Sequence, residues 1–306
     1  MQNTPQAPDR RGPFDRAWLL MMFPALFWSG NAIVGRAVAG EVPPIALAFW
    51  RWVVGAAIVL PFAWRHLQAD LPAMRRHWRV MLALSVLGVA VFNTCLYIAA
   101  QTTTALNIVM LQTAMPVLIV LASFLMFREG VSARQGIGIA VSLAGALVLI
   151  THGDPAVLAR LALNRGDVWM LAGIASYAAY TALLRQRPAV HGLSFVAATF
   201  VTGAALLLPF HVAETLAGRP LPLTAPALLA ILYVAVFASV LAYLCYNRVV
   251  ALVGANTAGL AVPLVPVFGT ILAILLLGER PRAYHAIGIG LIAAGIWLAQ
   301  RRARRA

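Results

Sequence analysis

Polar residues are scarce along this chain, and where they gather they cut it into pieces of similar length. Ten apolar stretches fall at roughly 17–35, 44–64, 79–99, 103–127, 133–151, 167–184, 192–211, 225–247, 255–277 and 283–300. About 20 apolar residues carry a helix across the hydrocarbon core of a bilayer, so each stretch predicts one crossing. The stretches are long continuous runs rather than short alternating ones, which argues against a β-barrel. The first run is too long for a signal-peptide core and lacks an obvious cleavage site, so it reads as an uncleaved span. The expected architecture is an all-α integral membrane protein of ten transmembrane helices.

The pattern repeats. Ala105 to Leu149, shifted by 150 positions, becomes Ala255 to Ala299: Pro116 falls on Pro266, Leu125 on Leu275 and Glu129 on Glu279. Ile137-Gly138-Ile139 falls on Ile287-Gly288-Ile289, and 7 of the 17 positions from Glu129 to Gly145 are identical to their mates. Self-similarity at one fixed offset marks two copies of one unit. The earlier part of each copy matches better at an offset of 149, where Trp28 meets Tyr177, Arg36 meets Arg185 and Tyr97 meets Tyr246. A one-residue slip near position 100 joins the two offsets. The predicted organisation is an N-terminal arm (1–16), a first five-helix unit (17–151), a linker (152–166), a second five-helix unit (167–300) and a basic tail (301–306). Five helices is an odd number, so the units are expected to cross the membrane in opposite senses. Such an inverted repeat places a substrate site between its halves and lets it face either side.

Composition supports the membrane reading: 62% of residues are hydrophobic, 10% are charged, and the mean hydropathy is +0.87. The net charge of +14 comes entirely from arginine. In a soluble chain that balance would suggest nucleic acid; in a membrane protein it reports topology. With the N-terminus in the cytoplasm, 16 arginines fall on the cytoplasmic side and 6 on the other, with Arg51 inside a span. Both termini are therefore expected in the cytoplasm. Cys95 and Cys245, 150 residues apart, read as small repeat-related core residues and imply no disulfide framework.

Trp28-Ser29-Gly30-Asn31 resembles the aromatic-small-small opening of the drug/metabolite transporter superfamily. Pro43-Pro44, followed by Ala46-Leu47-Ala48-Phe49-Trp50-Arg51, resembles its second-span signature. The block from Thr103 through Pro116 to Glu129 and Gly145, with its copy through Pro266, Glu279 and Gly295, resembles the EamA unit. The resemblance covers nearly the whole chain. It implies ten helices, an inverted repeat and export of small metabolites across a bacterial inner membrane. In overall likeness the chain is most similar to the YddG-type amino-acid exporters.

Several residues are candidates for lining a transport path. Proline inside a span frees a backbone carbonyl, so Pro116, Pro263 and Pro266 mark either kinks that open helices four and nine or ordinary packing kinks. Asn31, Asn93, Asn107, Gln112 and Asn256 are amides in apolar surroundings. They offer donors and acceptors to a zwitterion, or else bond neighbouring helices. Trp28, Trp50, Tyr97, Tyr177, Tyr180, Tyr243 and Tyr246 are candidate cavity walls, whereas Trp18, Trp78 and Trp169 lie where an interfacial belt is expected. Arg51 needs a partner so deep in a span. It either holds a substrate carboxylate or plays a structural part, and its repeat mate is Phe200. Glu129 and Glu279, beside Arg128 and Arg280, read as loop anchors. The spacing Ala140-x-x-x-Ala144, recurring as Gly290-x-x-x-Ala294, assigns helices five and ten to dimer or half-to-half packing.

All nine carboxylates and all six histidines fall outside the spans or at their ends. An ionisable relay inside the membrane is the usual mark of a proton-driven pump. The expectation is therefore alternating access to a central cavity without strict proton coupling. Proton antiport is the alternative, with a lipid flippase or a non-transporting scaffold behind it. No HExxH, GxSxG or paired intramembrane aspartate points to an enzyme. The expected partners are a small-molecule substrate and membrane lipid, with no cofactor, metal or nucleic acid, in a monomer or homodimer.

Overall fold

The computed structural model describes residues 17–159, 164–277 and 282–300. The N-terminal arm, Arg160, Glu279, Arg280 and the basic tail lie outside the described residues. Ten crossings follow in order: α1 Ala17–Ala37, α2 Pro44–Arg76, α3 Trp78–Thr102, α4 in two pieces Ala105–Gln112 and Met115–Phe127, and α5 Ala133–Ile150. The second half has α6 Arg165–Gln186, α7 Gly192–Leu216, α8 Ala225–Val253, α9 in two pieces Ala255–Ala258 and Leu264–Leu277, and α10 Ala283–Gln300. Eight of these helices are long and apolar enough to span a bilayer among the described residues, and two shorter apolar helices accompany them. The protein is thus an all-helical membrane protein. The second helix runs on to Arg76, twelve residues past the stretch read from hydropathy. Its end is amphipathic, so apolar content fades while the helix continues.

Contacts at the helix ends sort into two opposite faces. At one face Arg185 pairs with Glu129 at 2.7 Å, and His66 stacks on His191 with ring centroids 3.8 Å apart. At the other, the Thr103 hydroxyl donates to Asp167 at 2.6 Å and the Ala46 N–H donates to Glu214 at 2.7 Å. Corresponding ends of the two halves lie on opposite faces. Hydrogen bonds between repeat mates carry the same message. Residues equivalent under a two-fold rotation touch one another only beside its axis. Asn93 Nδ2 donates to the Tyr243 hydroxyl at 3.3 Å, and Ser142 Oγ donates to the Ile292 carbonyl at 3.5 Å; both pairs are 150 apart. The axis therefore passes between α3 and α8 and again between α5 and α10.

The α5–α10 seam depends on glycine. A Cβ on Gly138 would stand 2.6 Å from the Gly295 carbonyl oxygen, and one on Gly145 would stand 2.7 Å from that of Gly288. Each glycine meets the mate of the other, as an antiparallel pair about a two-fold axis requires. The half-to-half packing expected of helices five and ten is present between α5 and α10, but it does not run through the expected spacing. Ala140, Ala144, Gly290 and Ala294 are exposed. Gly138, Ser142 and Gly145 make the seam with Gly288 and Gly295, because only there do the two backbones touch. The α-helical stretches that follow the two π-helical ones begin at Phe92 and Ala242, 150 apart, so in the structure Tyr97 corresponds to Asn247 rather than to Tyr246.

Replacing Gly295 by valine forces a Cβ to within 2.3 Å of Ser142 Oγ. The expected cost is about 1–3 kcal/mol, the usual penalty of overpacking, read as a lower midpoint of thermal unfolding in detergent. Gly290→Ala, where nothing lies within 4 Å, leaves the midpoint unchanged.

Candidate functional site

Two local irregularities shape the middle of the molecule, and each occurs once per half. In α3 the stretch Ser85–Val91 is a π-helix, and in α8 the stretch Val236–Leu241 is another. Widening a helix to π geometry loosens its backbone bonding, and such bulges concentrate at functional sites. Here side chains take up the loosened carbonyls. The Tyr243 hydroxyl donates to the Gly88 carbonyl. The Ala238 carbonyl, 150 positions later, accepts from Trp28 Nε1 at 3.2 Å and from Arg51 Nη2 at 3.1 Å. The second irregularity is the break in α4 after Gln112, matched in α9 by a 3₁₀ turn over Gly259–Ala261. Pro116 lies in the first turn of the second piece of α4, next to its starting residue Met115, where its missing N–H costs nothing. Pro263 stands in the break of α9, with Pro266 just beyond it. Both helices are therefore interrupted rather than kinked.

Arg51 is 0% exposed and sits at the centre of a polar network. Its Nε donates to Ser239 Oγ at 2.8 Å, and its Nη1 donates to Asn93 Oδ1 at 2.6 Å and to the Tyr97 oxygen at 2.7 Å. A long 3.5 Å contact reaches Asn31 Oδ1, which also accepts from the Tyr97 hydroxyl at 2.9 Å. The guanidinium lies 4.5 Å from the centre of the Trp52 ring. Every one of these partners is neutral. Partial charges on five oxygens and one aromatic face replace the counter-ion that a buried cation normally requires. Asn31, Trp52, Asn93 and Tyr97 belong to the first half; Ser239 and the Ala238 carbonyl belong to the second. The network is a bridge between halves.

The second half holds a matching bond with its residue types exchanged. Asn31 and Tyr97 correspond in the repeat to Tyr180 and Asn247. The Tyr180 hydroxyl donates to Asn247 Oδ1 at 2.7 Å, just as Tyr97 donates to Asn31. In one half the tyrosine stands on the third helix of the unit, in the other on the first. The asymmetric element is Arg51, whose mate Phe200 packs against Trp52 with centroids 4.6 Å apart. Asn247 Nδ2 is buried without a hydrogen-bond partner among the described residues.

Beside the network a small chamber opens between the halves. Trp28, Phe92, Leu96, Met115 and Val262 give it apolar walls; Asn31, Gln112 and Tyr177 give it polar ones. Its volume is ≈ 10 Å³, about the room that one water needs. The Tyr177 hydroxyl is buried and has no hydrogen-bond partner among the described residues. Trp28 meets the Tyr177 ring edge-on at 5.8 Å and the Tyr246 ring at 5.2 Å. Tyr246 is held in turn through its hydroxyl, 3.2 Å from Thr181 Oγ1.

The sequence-derived candidates thus divide. Trp28, Asn31, Gln112 and Tyr177 line the chamber, and Arg51, Asn93, Tyr97, Tyr180, Tyr243 and Tyr246 form the polar and aromatic layer around it. Trp50 packs instead on Phe49 and His211, at 5.4 and 6.2 Å. Asn107 reaches Asp167 at 3.3 Å near a helix end, and the Asn256 side-chain oxygen is buried without a hydrogen-bond partner among the described residues. Ser239, Asn247, Thr181 and the Ala238 and Gly88 carbonyls were not visible in the sequence. Small hydroxyls look like packing residues there, and no residue type announces a π-helix. The buried carboxylates were also unexpected. Asp167 is 1% exposed and Glu214 is 8% exposed. Both act as helix caps: Asp167 accepts from the Asn164 N–H at 2.8 Å, and Glu214 covers the first N–H groups of α2.

Tyr180→Phe and Asn247→Ala each remove one bond partner and lower stability. In a double-mutant cycle the pair should couple by about 1 kcal/mol, the net worth of one buried hydrogen bond. Additive losses in detergent unfolding would show that the pair does not act as a unit.

Comparison with known proteins agrees with this architecture. The chain is 26% identical to an uncharacterized transporter of Archaeoglobus fulgidus, over 92% of this chain and 96% of that one. It is 25% identical to the uncharacterized inner membrane transporter YicL of Salmonella typhimurium, over 96% of this chain and 100% of that one. A solved crystal structure superposes with a TM-score of 0.73 at 22% identity, covering 95% of this chain and 99% of the other, and so shares the fold. The EamA-like transporter family matches residues 16–151 and again 164–300, one match per half. With both halves matched, the chain belongs to the EamA-like transporter family.

Proposed function

We propose that this transporter exports small zwitterionic or neutral metabolites, with aromatic and neutral amino acids first among them, by alternating access. The observation that carries the reading is the nearly closed chamber between two inverted halves, walled by aromatic rings and furnished with two amides and a free hydroxyl. A ligand site of this kind is mostly apolar with a few polar anchors. Aromatic walls suit an apolar or aromatic side chain. Asn31 and Gln112 offer both donors and acceptors to groups leaving water. At ≈ 10 Å³ the chamber admits no amino acid. The halves must part on one face or the other for substrate to enter, and the Arg51 bridge is what they part against. With both termini cytoplasmic, the face bearing Glu129 and Arg185 is the cytoplasmic one.

Transport is expected to follow the substrate gradient without strict proton coupling. The two buried carboxylates, Asp167 and Glu214, lie at the ends of α6 and α7 on the face away from Glu129. Both are tied to helix N–H groups as caps, which gives each a structural task at a helix end. The rival is antiport through Asp167, the more deeply buried of the two.

Purified protein in liposomes should catalyse counterflow of labelled phenylalanine, methionine or threonine, with rates unchanged when a pH gradient is imposed. Dependence on that gradient, abolished in Asp167→Asn, would replace passive transport by antiport; absence of uptake for every amino acid would remove the substrate class. Trp28→Ala takes away a chamber wall and is expected to cut kcat/KM at least about tenfold, equivalent to ~1.4 kcal/mol. Trp50→Ala, away from the chamber, leaves uptake within about twofold of the parent, under ~0.5 kcal/mol.

A further inference from the structure

A hollow of ≈ 480 Å³ lies on the outer surface where the end of α2 and the start of α3 meet α7. It belongs to neither the chamber nor the Arg51 network. Leu67, Leu71, Leu82 and Val201 line its length, with Leu60 at the deep end and Arg75 and Trp78 at the mouth. From Leu60 to Arg75 the helix rises about 22 Å at 1.5 Å per residue. This rise carries the hollow from inside the apolar stretch 44–64 out to the amphipathic end of α2, and walls this apolar favour hydrocarbon over water. The mouth is strongly basic. Arg75, Arg76 and Arg79 are all exposed, and the Arg79 guanidinium lies 5.5 Å from the centre of the Trp78 ring. The nearby carboxylate, Asp70, is engaged by the His191 N–H at 3.0 Å. Trp78 is 56% exposed, in the position of an interfacial anchor.

We propose that this hollow is a binding site for an anionic phospholipid, with one acyl chain along Leu60–Leu71 and the headgroup phosphate on Arg75 and Arg79. Each half of the ligand matches one half of the site. A chain of methylenes fills the apolar trough, and a phosphate with net negative charge meets basic side chains that have no carboxylate partner among the described residues. A second apolar hollow of ≈ 460 Å³, lined by Ile98, Trp169, Leu206 and Phe210, has no basic residue in its walls. It accepts an acyl chain without choosing a headgroup and serves as the comparison.

The test uses the full chain in nanodiscs containing chain-brominated phosphatidylglycerol or chain-brominated phosphatidylcholine at equal mole fraction. Bromine quenches nearby tryptophan, and subtraction of the Trp78→Phe variant isolates the Trp78 signal. Half-quenching of Trp78 is expected at a phosphatidylglycerol fraction at least about fivefold lower than for phosphatidylcholine, the effect of one well-placed basic residue near a membrane surface. The double variant Arg75→Gln, Arg79→Gln should lose that preference while Trp169 quenching stays the same. Ala198→Phe, which fills the hollow, should reduce Trp78 quenching by both lipids. Inorganic phosphate should not displace the lipid. Equal quenching by the two lipids, a preference that survives the arginine changes, displacement by phosphate alone, or cross-linking of this face to a second copy of the chain would each overturn the proposal.

Discussion

A fully buried cation whose partners among the described residues are all neutral sets the terms for the rest of this structure. Placing arginine at the centre of a bilayer costs about 2.5 to more than 10 kcal/mol. The protein meets that cost by surrounding Arg51 with neutral oxygens drawn from both halves. One of them, the Ala238 carbonyl, belongs to a π-helical stretch, and the helix irregularity is therefore part of how the charge is held. The same carbonyl also anchors Trp28, the residue that walls the chamber. Charge burial, backbone geometry and the shape of the chamber are one connected problem.

Two-fold symmetry solves the remainder at little expense. Small residues on the axis let α5 and α10 touch backbone to backbone. The Asn93–Tyr243 bond joins repeat mates beside the same axis. The exchange of tyrosine and asparagine between the Asn31–Tyr97 and Tyr180–Asn247 pairs shows what the fold demands at those places. It needs one hydroxyl donating to one amide across two helices, from either side. Where the halves differ, function has room. Arg51 and the open donor on Asn247 have no counterparts of their own kind across the axis. A carrier that binds one asymmetric substrate needs such a break in symmetry.

The fold was largely legible because its causes are periodic. Apolar length reports spans, and a doubled motif with an odd number of helices reports inversion. The site was legible only where a residue type is costly in its setting. Arg51, Asn31, Asn93 and Gln112 stand out in apolar runs, and the aromatic residues cluster along the repeat. What stayed hidden depends on geometry that no residue type encodes. Ser239 and Thr181 read as packing residues, the π-helices have ordinary sequences, and Gly138 and Gly145 are spaced as seven rather than the four of the usual motif. Asp167 and Glu214 sit at span ends, where exposure is the natural expectation. They are buried because each caps a helix end that would otherwise leave N–H groups unpaired in an apolar setting.

The central claim is that two inverted halves rock about the axis and expose the chamber to one face at a time. Spin-label distances across both faces test it most directly, with one pair at Ser132 and Ala189 and another at Glu41 and Leu223, measured in nanodiscs with and without a transported amino acid. The account predicts opposite changes: as one pair moves apart, the other closes. Two pairs that lengthen together, or that stay fixed under conditions of active transport, would contradict it.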